Sequence, residues 1–311
     1  MMHTMPGFDA LMRPIDDLTP PVVAVVQPVS DEALTGILAA LDARLVRAVL
    51  VGERPRIAAG LRALGRSEGE FEIEHASGDQ DAAARAVALV RDGAAQILMK
   101  GHIHTDDFLK PAVESARGLR TDRRMSHAFV CYLPEPAYRK PLTVTDGAMN
   151  VAPDVEAKAG ILENAIELMH ALGTAQPKVA ILAAVETVNP AMQATLDAAQ
   201  LQARAARGAF ASATVEGPLA FDNAISLKAA QTKGIASSVA GDPDVLLVPD
   251  IEAGNILYKT LVYLCGAIAP GIVMGALAPI LLTSRADPPL ARTASCALAA
   301  RLVRYRQSLG G

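Results

Sequence analysis

The feature that most constrains the fold is an alternation of short, continuous apolar runs with longer amphipathic segments. The runs lack a strict apolar–polar alternation, so they are typical of strands buried on both faces of a parallel sheet. They predict strands at 22–26, 45–51, 71–75, 96–99, 128–133, 142–145, 179–185, 245–248 and 279–283. Helical periodicity lies between them at 31–41, 79–90, 105–116, 154–172, 190–206, 252–264 and 288–308. This order of elements predicts an α/β fold with mostly parallel strands.

The uncharged stretch 260–284 is long enough to cross a bilayer, but glycines and prolines divide it into pieces of strand length. We therefore expect a helix end followed by two buried strands, and no membrane partner. Of the 311 residues, 51% are hydrophobic and 20% are charged, which excludes a disordered chain. The net charge of −4 excludes a nucleic-acid partner, and we interpret Arg301, Arg304 and Arg306 as a solvated last helical turn.

The cysteines, Cys131, Cys265 and Cys296, are too far apart for a zinc motif, and each lies in an apolar run. We expect buried thiols, no metal site and a reducing, cytoplasmic compartment. The first 17 residues lack the continuous apolar core of a signal peptide.

Ligands of open α/β sheets lie beyond the carboxyl ends of the strands. No glycine-rich dinucleotide motif, Walker motif or Gly-x-Ser-x-Gly elbow is found there. Ser284 and Arg285 instead close a strand and precede a helix, where a guanidinium, a hydroxyl and helix amides suit a phosphate. The alternative is a structural Ser–Arg loop in which Asp287 caps the helix.

Two further strand ends carry polar residues with an open interpretation. In one interpretation of residues 100–105, the backbone amides bind an anion. In the other, the segment is a structural turn in which Thr105 caps a helix. In 250–255 the carboxylates of Asp250 and Glu252 either cap a helix or contact a ligand. We interpret His127, just before a strand, as a packed, hydrogen-bonded histidine.

These strand ends fall within segments that resemble the phosphate acyltransferase family, which comprises phosphate acetyltransferases and phosphate butyryltransferases. The segments are MKGHIHTDDFLKPAV (99–113), RMSHAFV (124–130), TDGAMNVAPD (145–154), EGPLAFDNAIS (216–226), LLVPDIEAGNILYK (246–259) and PILLTSRAD (279–287). The forms LTSRAD and NILYKTLVY are more similar to the butyryl branch.

The resemblance implies a two-domain fold like isocitrate and isopropylmalate dehydrogenases, with mostly parallel sheets and an interdomain cleft. The first α/β domain would comprise 1–137 and 277–311, and the inserted second α/β domain 138–276. The implied reaction is the reversible transfer of a short acyl group, butyryl favoured, between CoA and inorganic phosphate. CoA thiolate would attack the acyl phosphate directly. A homodimer is implied, with CoA as substrate and no bound cofactor.

The resemblance also implies roles for residues. Arg285 matches the phosphate-contacting arginine, and Ser284 matches the serine near the reacting thiol and carbonyl. Asp287 is a candidate base or orienting group, or only the helix cap, since Ala291 stands where the acetyl branch has its proposed catalytic aspartate. Candidate substrate-binding residues are Lys100, Gly101, His104, Thr105, Asp250 and Asn255. An arginine in the preceding helix of the acetyl branch falls near Tyr263 here, so the anion contact of that arginine is not carried over to this chain.

Three alternatives stay open. The first is a phosphate acetyltransferase. The second is an NAD- and metal-dependent dehydrogenase of the same fold group, for which Asp146, Asp250 and Glu252 are present but no run of substrate arginines. The third is a non-catalytic relative that binds CoA or another ligand.

Overall fold

The computed structural model describes residues 5–15, 19–283 and 287–310. The chain forms two compact units. We call residues 5–8 together with Ser126–Ala269 the middle unit, and the described parts of Asp9–Met125 and Pro270–Gly311 the outer unit. The units change at 125/126 and 269/270, whereas the resemblance implies domains that change at 137/138 and 276/277. Those domain ranges stay a prediction.

The described residues contain strands and helices in alternation. The strands are β1 (Val22–Val26), β2 (Arg47–Gly52), β3 (Glu72–His75), β4 (Ile97–Lys100), β5 (Ser126–Cys131), β6 (Leu142–Thr145), β7 (Lys178–Leu182), β8 (Thr214–Leu219), β9 (Val245–Leu247), β10 (Gly271–Met274) and β11 (Ile280–Leu281). The helices are α1 (Phe8–Leu11), α2 (Asp31–Asp42), α3 (Arg54–Ala63), α4 (Gly78–Arg91), α5 (Thr105–Ala112), α6 (Val155–Ala171), α7 (Gln193–Ala206), α8 (Phe221–Ile225), α9 (Leu227–Thr232), α10 (Ile251–Tyr263) and α11 (Pro289–Leu309), with a 3₁₀ turn at Glu68–Glu70.

In the outer unit the strand order is β3-β2-β1-β4-β11-β10. All neighbouring strands are parallel except β10, which runs antiparallel to β11. The residues of β1 and β4 are fully buried, as expected for central strands covered on both faces. In register, Val26 pairs with Lys100 and Leu281 pairs with Met99, so β1, β4 and β11 end at the same edge.

In the middle unit the order is β5-β6-β9-β7-β8, with only the β5–β6 pair antiparallel. A hydrophobic core of this unit includes Val144, Ala180, Leu246 and Leu261. The prediction of an α/β fold with mostly parallel strands is therefore confirmed.

The interpretation of 260–284 is also confirmed. The helix α10 ends at Tyr263, and the strands β10 and β11 follow. Within the described ranges, no helix has both the length and the apolar character needed to span a membrane.

Strand β8 and helix α3 were not predicted. Glu216, Gly217 and Pro218 interrupt the apolar run of β8, which an edge strand tolerates because its outer side pairs with no other strand. The N–H of Gly217 donates instead to Oε1 of Gln202 at 2.8 Å. Helix α3 buries only Ile57, Ala58 and Leu61, so its apolar face was too narrow to recognise.

Several local predictions were wrong. Helix α7 begins at Gln193 rather than at Pro190, and α11 begins at Pro289 with Pro288 as its N-cap. Cys265 is exposed, whereas Cys131 and Cys296 are buried as expected.

The arginines near the end of α11 are half-buried rather than solvated. Arg301 donates to the carbonyl oxygens of Ala10 and Leu11, and Arg304 donates to that of Thr19. Arg301 and Arg304 therefore hold the described N-terminal part of the outer unit in place. This structural role accounts for the basic cluster, and no nucleic-acid partner is needed to explain it.

Candidate functional site

The candidate site in the outer unit forms where β1, β4 and β11 end. Because these strands are parallel and adjacent, their carboxyl ends meet at one edge of the sheet. Lys100 is the last residue of β4, and its side chain is buried. Thr283, two residues after β11, donates its Oγ1 hydrogen to the Lys100 carbonyl oxygen at 3.0 Å.

Gly101 is required here by a close approach of two strand ends. A Cβ at this position would lie 2.4 Å from the carbonyl oxygen of Val26 and 2.6 Å from that of Gln27. The N–H groups of Gly101 and His102 donate to those same two oxygens at 2.9 and 2.8 Å. The amide of Gly101 is therefore used within the protein, so it is not an available donor for substrate.

The segment after Gly101 leads directly into α5. His104 is the N-cap of this helix, without a side-chain capping bond, and Thr105 is its first residue. The expectation that Thr105 caps the helix was wrong, because the turn places the extended backbone one residue earlier. Asp106 and Asp107 in the first turn complement the helix dipole.

Of the three predicted catalytic residues, Ser284 and Arg285 lie outside the described residues. Asp287 lies two residues before α11, and its carbonyl oxygen accepts a bond of 3.4 Å from Nε of Arg292. The interpretation of Asp287 as the helix cap was wrong, since the helix starts at Pro289 and Pro288 is its N-cap.

Arg292 is a functional candidate that the sequence analysis missed. It lies in the first turn of α11 and is 3% exposed. Its Nη1 donates to Oγ1 of Thr283 at 2.8 Å. Burial lowers the pKa of Arg292, and the carboxylates of Asp287 and Glu32 oppose that shift. The sequence does contain a signal that could have identified this residue, because Arg292 interrupts a run of small and apolar residues in 291–300.

In the middle unit, Asp146 organises the turn that follows β6. Its Oδ1 accepts the N–H groups of Ala148 and Met149, both at 2.9 Å. Its Oδ2 accepts the N–H of His127 at 3.1 Å and Nδ2 of Asn150 at 2.6 Å. A buried carboxylate with four donors is held in place and in turn fixes the loop around it.

The predicted substrate-binding residues of the middle unit take part in the same construction. Asp250 is the N-cap of α10 and accepts the N–H of Ala253 at 2.8 Å. Asn255 donates Nδ2 to the carbonyl oxygen of Gly147 at 3.1 Å. A Cβ on Gly147 would lie 3.0 Å from the backbone of Gly254, so the turn and α10 are closely packed. The capping interpretation of Asp250 is confirmed.

His127 is buried against aromatic rings. Its ring lies 4.2 Å from that of Phe129, which stacks on Tyr258 at 3.7 Å. Among the described residues its Nδ1 has no hydrogen-bond partner. Burial lowers the pKa of His127 to about 4, although the adjacent Asp146 carboxylate acts in the opposite direction. The ring is therefore packed as expected but not hydrogen-bonded at Nδ1.

Asp250 also lines a cavity of about 480 Å³ in the middle unit, together with a buried ion pair. Lys158 Nζ and Asp197 Oδ2 are 2.6 Å apart, and Gln193 donates to the other oxygen of Asp197 at 2.7 Å. The charges of the pair are thus satisfied within the protein. The described residues contain no cluster of three or more histidine, cysteine, aspartate or glutamate side chains that could hold a metal ion.

The structure thus brings Lys100, Gly101, His104 and Thr105 together at one strand edge of the outer unit, with Asp287 tied to that edge through Arg292 and Thr283. Asp250 and Asn255 lie together in the middle unit, around the turn that Asp146 organises. Asp146 had been considered only as a possible metal ligand.

Comparisons with known proteins give one consistent result. Residues 63–300 match the family model described as "Phosphate acetyl/butaryl transferase". The chain is 44% identical over 301 residues to a phosphate acetyltransferase of Rhizobium meliloti, covering 97% of this chain and 95% of that one. It is 38% identical over 294 residues to a phosphate butyryltransferase of Clostridium beijerinckii, covering 94% and 97%.

A solved structure gives the same result for the fold. A branched-chain phosphotransacylase from Enterococcus faecalis V583 superposes with a TM-score of 0.80 at 33% sequence identity. The match covers 91% of this chain and 99% of that one.

Proposed function

This chain belongs to the phosphate acetyl/butyryl transferase family, and we propose that it transfers a short acyl group reversibly between CoA and inorganic phosphate. The observation that carries the proposal is the meeting of β4 and β11 at one edge of the outer unit. Lys100 ends one strand there, and Thr283 leads from the other into Ser284 and Arg285. Residues from distant parts of the sequence thus serve one phosphate-binding edge.

The proposed chemistry assigns each residue one task. The CoA thiol loses its proton, because the thiolate is the nucleophile. Its sulfur attacks the carbonyl carbon of the acyl phosphate, the new C–S bond forms, and the bond to the phosphate oxygen breaks. Phosphate leaves with the electron pair of that bond. The thiol proton passes through a base, for which Asp287 is the candidate, to the released phosphate.

Binding and charge stabilisation complete the mechanism. Arg285 holds the phosphate through its planar pair of donors, and Ser284 lies near the reacting carbonyl. Positive charge and hydrogen-bond donors at the same strand edge come from Lys100, His104 and Thr105. Gly101 permits the close approach of the two strand ends there. Asp250 and Asn255 shape the middle unit's loop for CoA rather than supplying free polar groups.

Within this proposal the butyryl substrate is favoured, since LTSRAD and NILYKTLVY are similar to the butyryl branch. Relatives of both names match the chain, so phosphate acetyltransferase activity is the second candidate. Each methylene of the acyl chain contributes only about 1–3 kcal/mol to discrimination. We therefore expect measurable turnover with both acyl groups.

The assignment to the isocitrate and isopropylmalate dehydrogenase fold group belongs to the same proposal. So do the domain ranges 1–137 with 277–311 and 138–276, the homodimer and the absence of a bound cofactor. The parallel strands of both units support the fold assignment. Metal-dependent NADH production would favour the dehydrogenase alternative instead.

The first test follows thioester absorbance and thiol release with phosphate and either butyryl-CoA or acetyl-CoA. Arsenate serves as a second acceptor. Phosphate-dependent loss of thioester, faster with butyryl-CoA, supports the proposal and its branch. Faster loss with acetyl-CoA keeps the reaction and changes the substrate. No turnover, with CoA still raising the melting temperature, supports a binding protein.

Substitutions test the individual roles in the same assay. Arg285→Ala should raise KM for phosphate and lower kcat by about a hundredfold, as for the loss of one charge-stabilising donor. Asp287→Asn should lower kcat while KM for phosphate stays similar if Asp287 is the base. Arg56→Ala is the control, because Arg56 is exposed and, within the described part of the chain, forms an ion pair with Glu53 alone. Equal losses of stability and activity in Asp287→Asn would contradict the role as base.

A further inference from the structure

Arg292 bonds to the chain on both sides of residues 284–286. Its Nη1 donates to Oγ1 of Thr283 at 2.8 Å, immediately before that segment. Its Nε donates to the carbonyl oxygen of Asp287 at 3.4 Å, immediately after it. One rigid guanidinium therefore connects the chain that leaves β11 to the chain that enters α11.

The bonds continue from Thr283 into β4. The Thr283 hydroxyl has one hydrogen, which it donates to the Lys100 carbonyl oxygen at 3.0 Å, and it accepts the hydrogen of Arg292. The directions of donation are therefore mutually consistent. Arg292, Thr283 and Lys100 form a hydrogen-bonded chain that joins α11 to the ends of two parallel strands.

Packing fixes the arginine stem in the same place. A Cβ added to Gly36 on α2 would lie 2.8 Å from Cβ and 3.1 Å from Cδ of Arg292, so the stem lies directly against that helix. The next residue, Thr293, donates Oγ1 to the Gly36 carbonyl oxygen at 3.0 Å. A side chain packed in this way loses little further freedom when it forms its hydrogen bonds.

Burial of a cation is unfavourable unless it is paired or fully hydrogen-bonded. Arg292 is 3% exposed, and the carboxylates of Asp287 and Glu32 are the opposite charges nearby. A merely apolar contact between α11 and the sheet would not need a guanidinium here. A guanidinium is needed here if one side chain must donate hydrogen bonds both to Thr283 and to Asp287, and this need explains why the unfavourable burial is tolerated.

We propose that Arg292 is a positioning residue for phosphate acyl transfer, which holds both ends of the segment that carries Ser284 and Arg285. This inference rests on the proposed function. Positioning of charged groups before the reaction is worth a large part of an enzyme's rate, and a displacement of about 1 Å costs roughly a hundredfold. Arg292 therefore acts on the reaction through the residues between its two bonding partners.

The test is a double-mutant cycle in the full-length protein, with phosphate and the faster of the two acyl-CoA substrates. Arg292→Gln and Thr283→Val should each lower kcat/KM by at least tenfold. The double variant should be no slower than the slower single variant, because both changes break the same connection. Arg292→Lys should fall between wild type and Arg292→Gln, since an ammonium lacks the planar pair of donors.

Thr293→Val is the matched control. Thr293 is as buried as Arg292 and lies beside it on α11, but among the described residues its hydroxyl bonds only to the backbone oxygens of Gly36 and Pro289. It should lower the melting temperature and leave kcat and both KM values within twofold of wild type. Rescue of Arg292→Ala by added guanidinium chloride at non-denaturing concentration supports the positioning role, because a purely structural loss would not recover activity.

Each other outcome gives a definite answer. An active wild type whose Arg292→Gln variant retains kcat/KM within twofold overturns this role alone. Additive losses in the double variant overturn it too, because the two residues would then act independently. A wild type without phosphate-dependent turnover overturns the proposed function and this role together. If Arg292→Gln does not fold, Thr283→Val and Arg292→Lys decide the question by the same criteria.

Discussion

Single buried polar residues determine the geometry of both strand edges. Asp146 in the middle unit and Arg292 in the outer unit each bond to several backbone or side-chain groups around a strand end. Neither was predicted as a site residue, because one aspartate or arginine in a sequence does not reveal which backbone groups fold around it. Asp250 and Asn255 were predicted as substrate contacts, since capping and ligand binding use the same residue types.

His127 provides a prediction about pH. Its folded-state pKa is about 4, whereas an ordinary histidine titrates near 6.5, so between these values only the unfolded chain binds the proton. The free energy of unfolding should therefore fall as the pH is lowered from about 6.5 towards 4. One such group contributes about 1 kcal/mol per pH unit in that window. Urea unfolding at several pH values measures it.

The control for this prediction is a second histidine. In His127→Gln the fall between pH 6.5 and 4 should be shallower than in wild type, because the titrating group is gone. Exposed His102→Gln should follow the wild-type curve. Parallel curves for wild type and His127→Gln would show that His127 does not contribute to the pH dependence.

At the level of elements, helix starts were predictable where a side chain caps the backbone. Ser30, Asp154 and Asp250 each accept an N–H three residues later, at 3.3, 2.8 and 2.8 Å. Where no side-chain bond caps the helix, the outcome varied: the predicted start of α7 was wrong by three residues, whereas those of α5 and α11 were correct to within one residue.

The cap of α10 allows stability and substrate contact to be separated. Asp250→Ala should lower the free energy of unfolding by about 1 kcal/mol, whereas Asp250→Asn should preserve it, because asparagine caps as well as aspartate. Asp154→Ala on α6 is the matched control with the same loss. Urea unfolding measures all three variants.

The same variants report on CoA. If Asp250→Asn folds as stably as wild type yet raises KM for CoA, its carboxylate charge serves substrate binding as well as the cap. Full stability in Asp250→Ala would contradict the capping role.

At the level of the whole molecule, α11 completes the outer unit although it follows the middle unit in sequence. Residues 291–300 of this helix are all buried, and its arginines hold the N-terminal segment of the same unit. The sheet of the outer unit likewise needs β10 and β11 from beyond residue 269. The outer unit is thus assembled from chain segments separated by more than a hundred residues.

Truncation tests this dependence. A chain that stops after Pro288 lacks α11 and should lose the packed structure of 9–125, because α2 and the sheet lose their buried neighbour. Limited proteolysis with mass spectrometry should then cut within 9–125, while 126–269 resists through its own core. A chain that stops after Gln307 lacks Gly311 and residues 308–310, which are exposed, and it should resist like wild type. Equal resistance of the two truncations would contradict the dependence.

The sequence by itself determined the α/β class, most strands and the family, because apolar periodicity and contiguous motifs are local properties of the chain. The same local patterns in the sequence placed Lys100 and Asp287 just after two of the predicted strands. Only the tertiary structure decided that Gly101 is needed for a close approach, that Arg292 connects Thr283 to Asp287, and that Asp250 and Asn255 hold a loop. These facts depend on which distant backbone groups become neighbours, and non-local contacts of this kind leave no pattern in a single sequence.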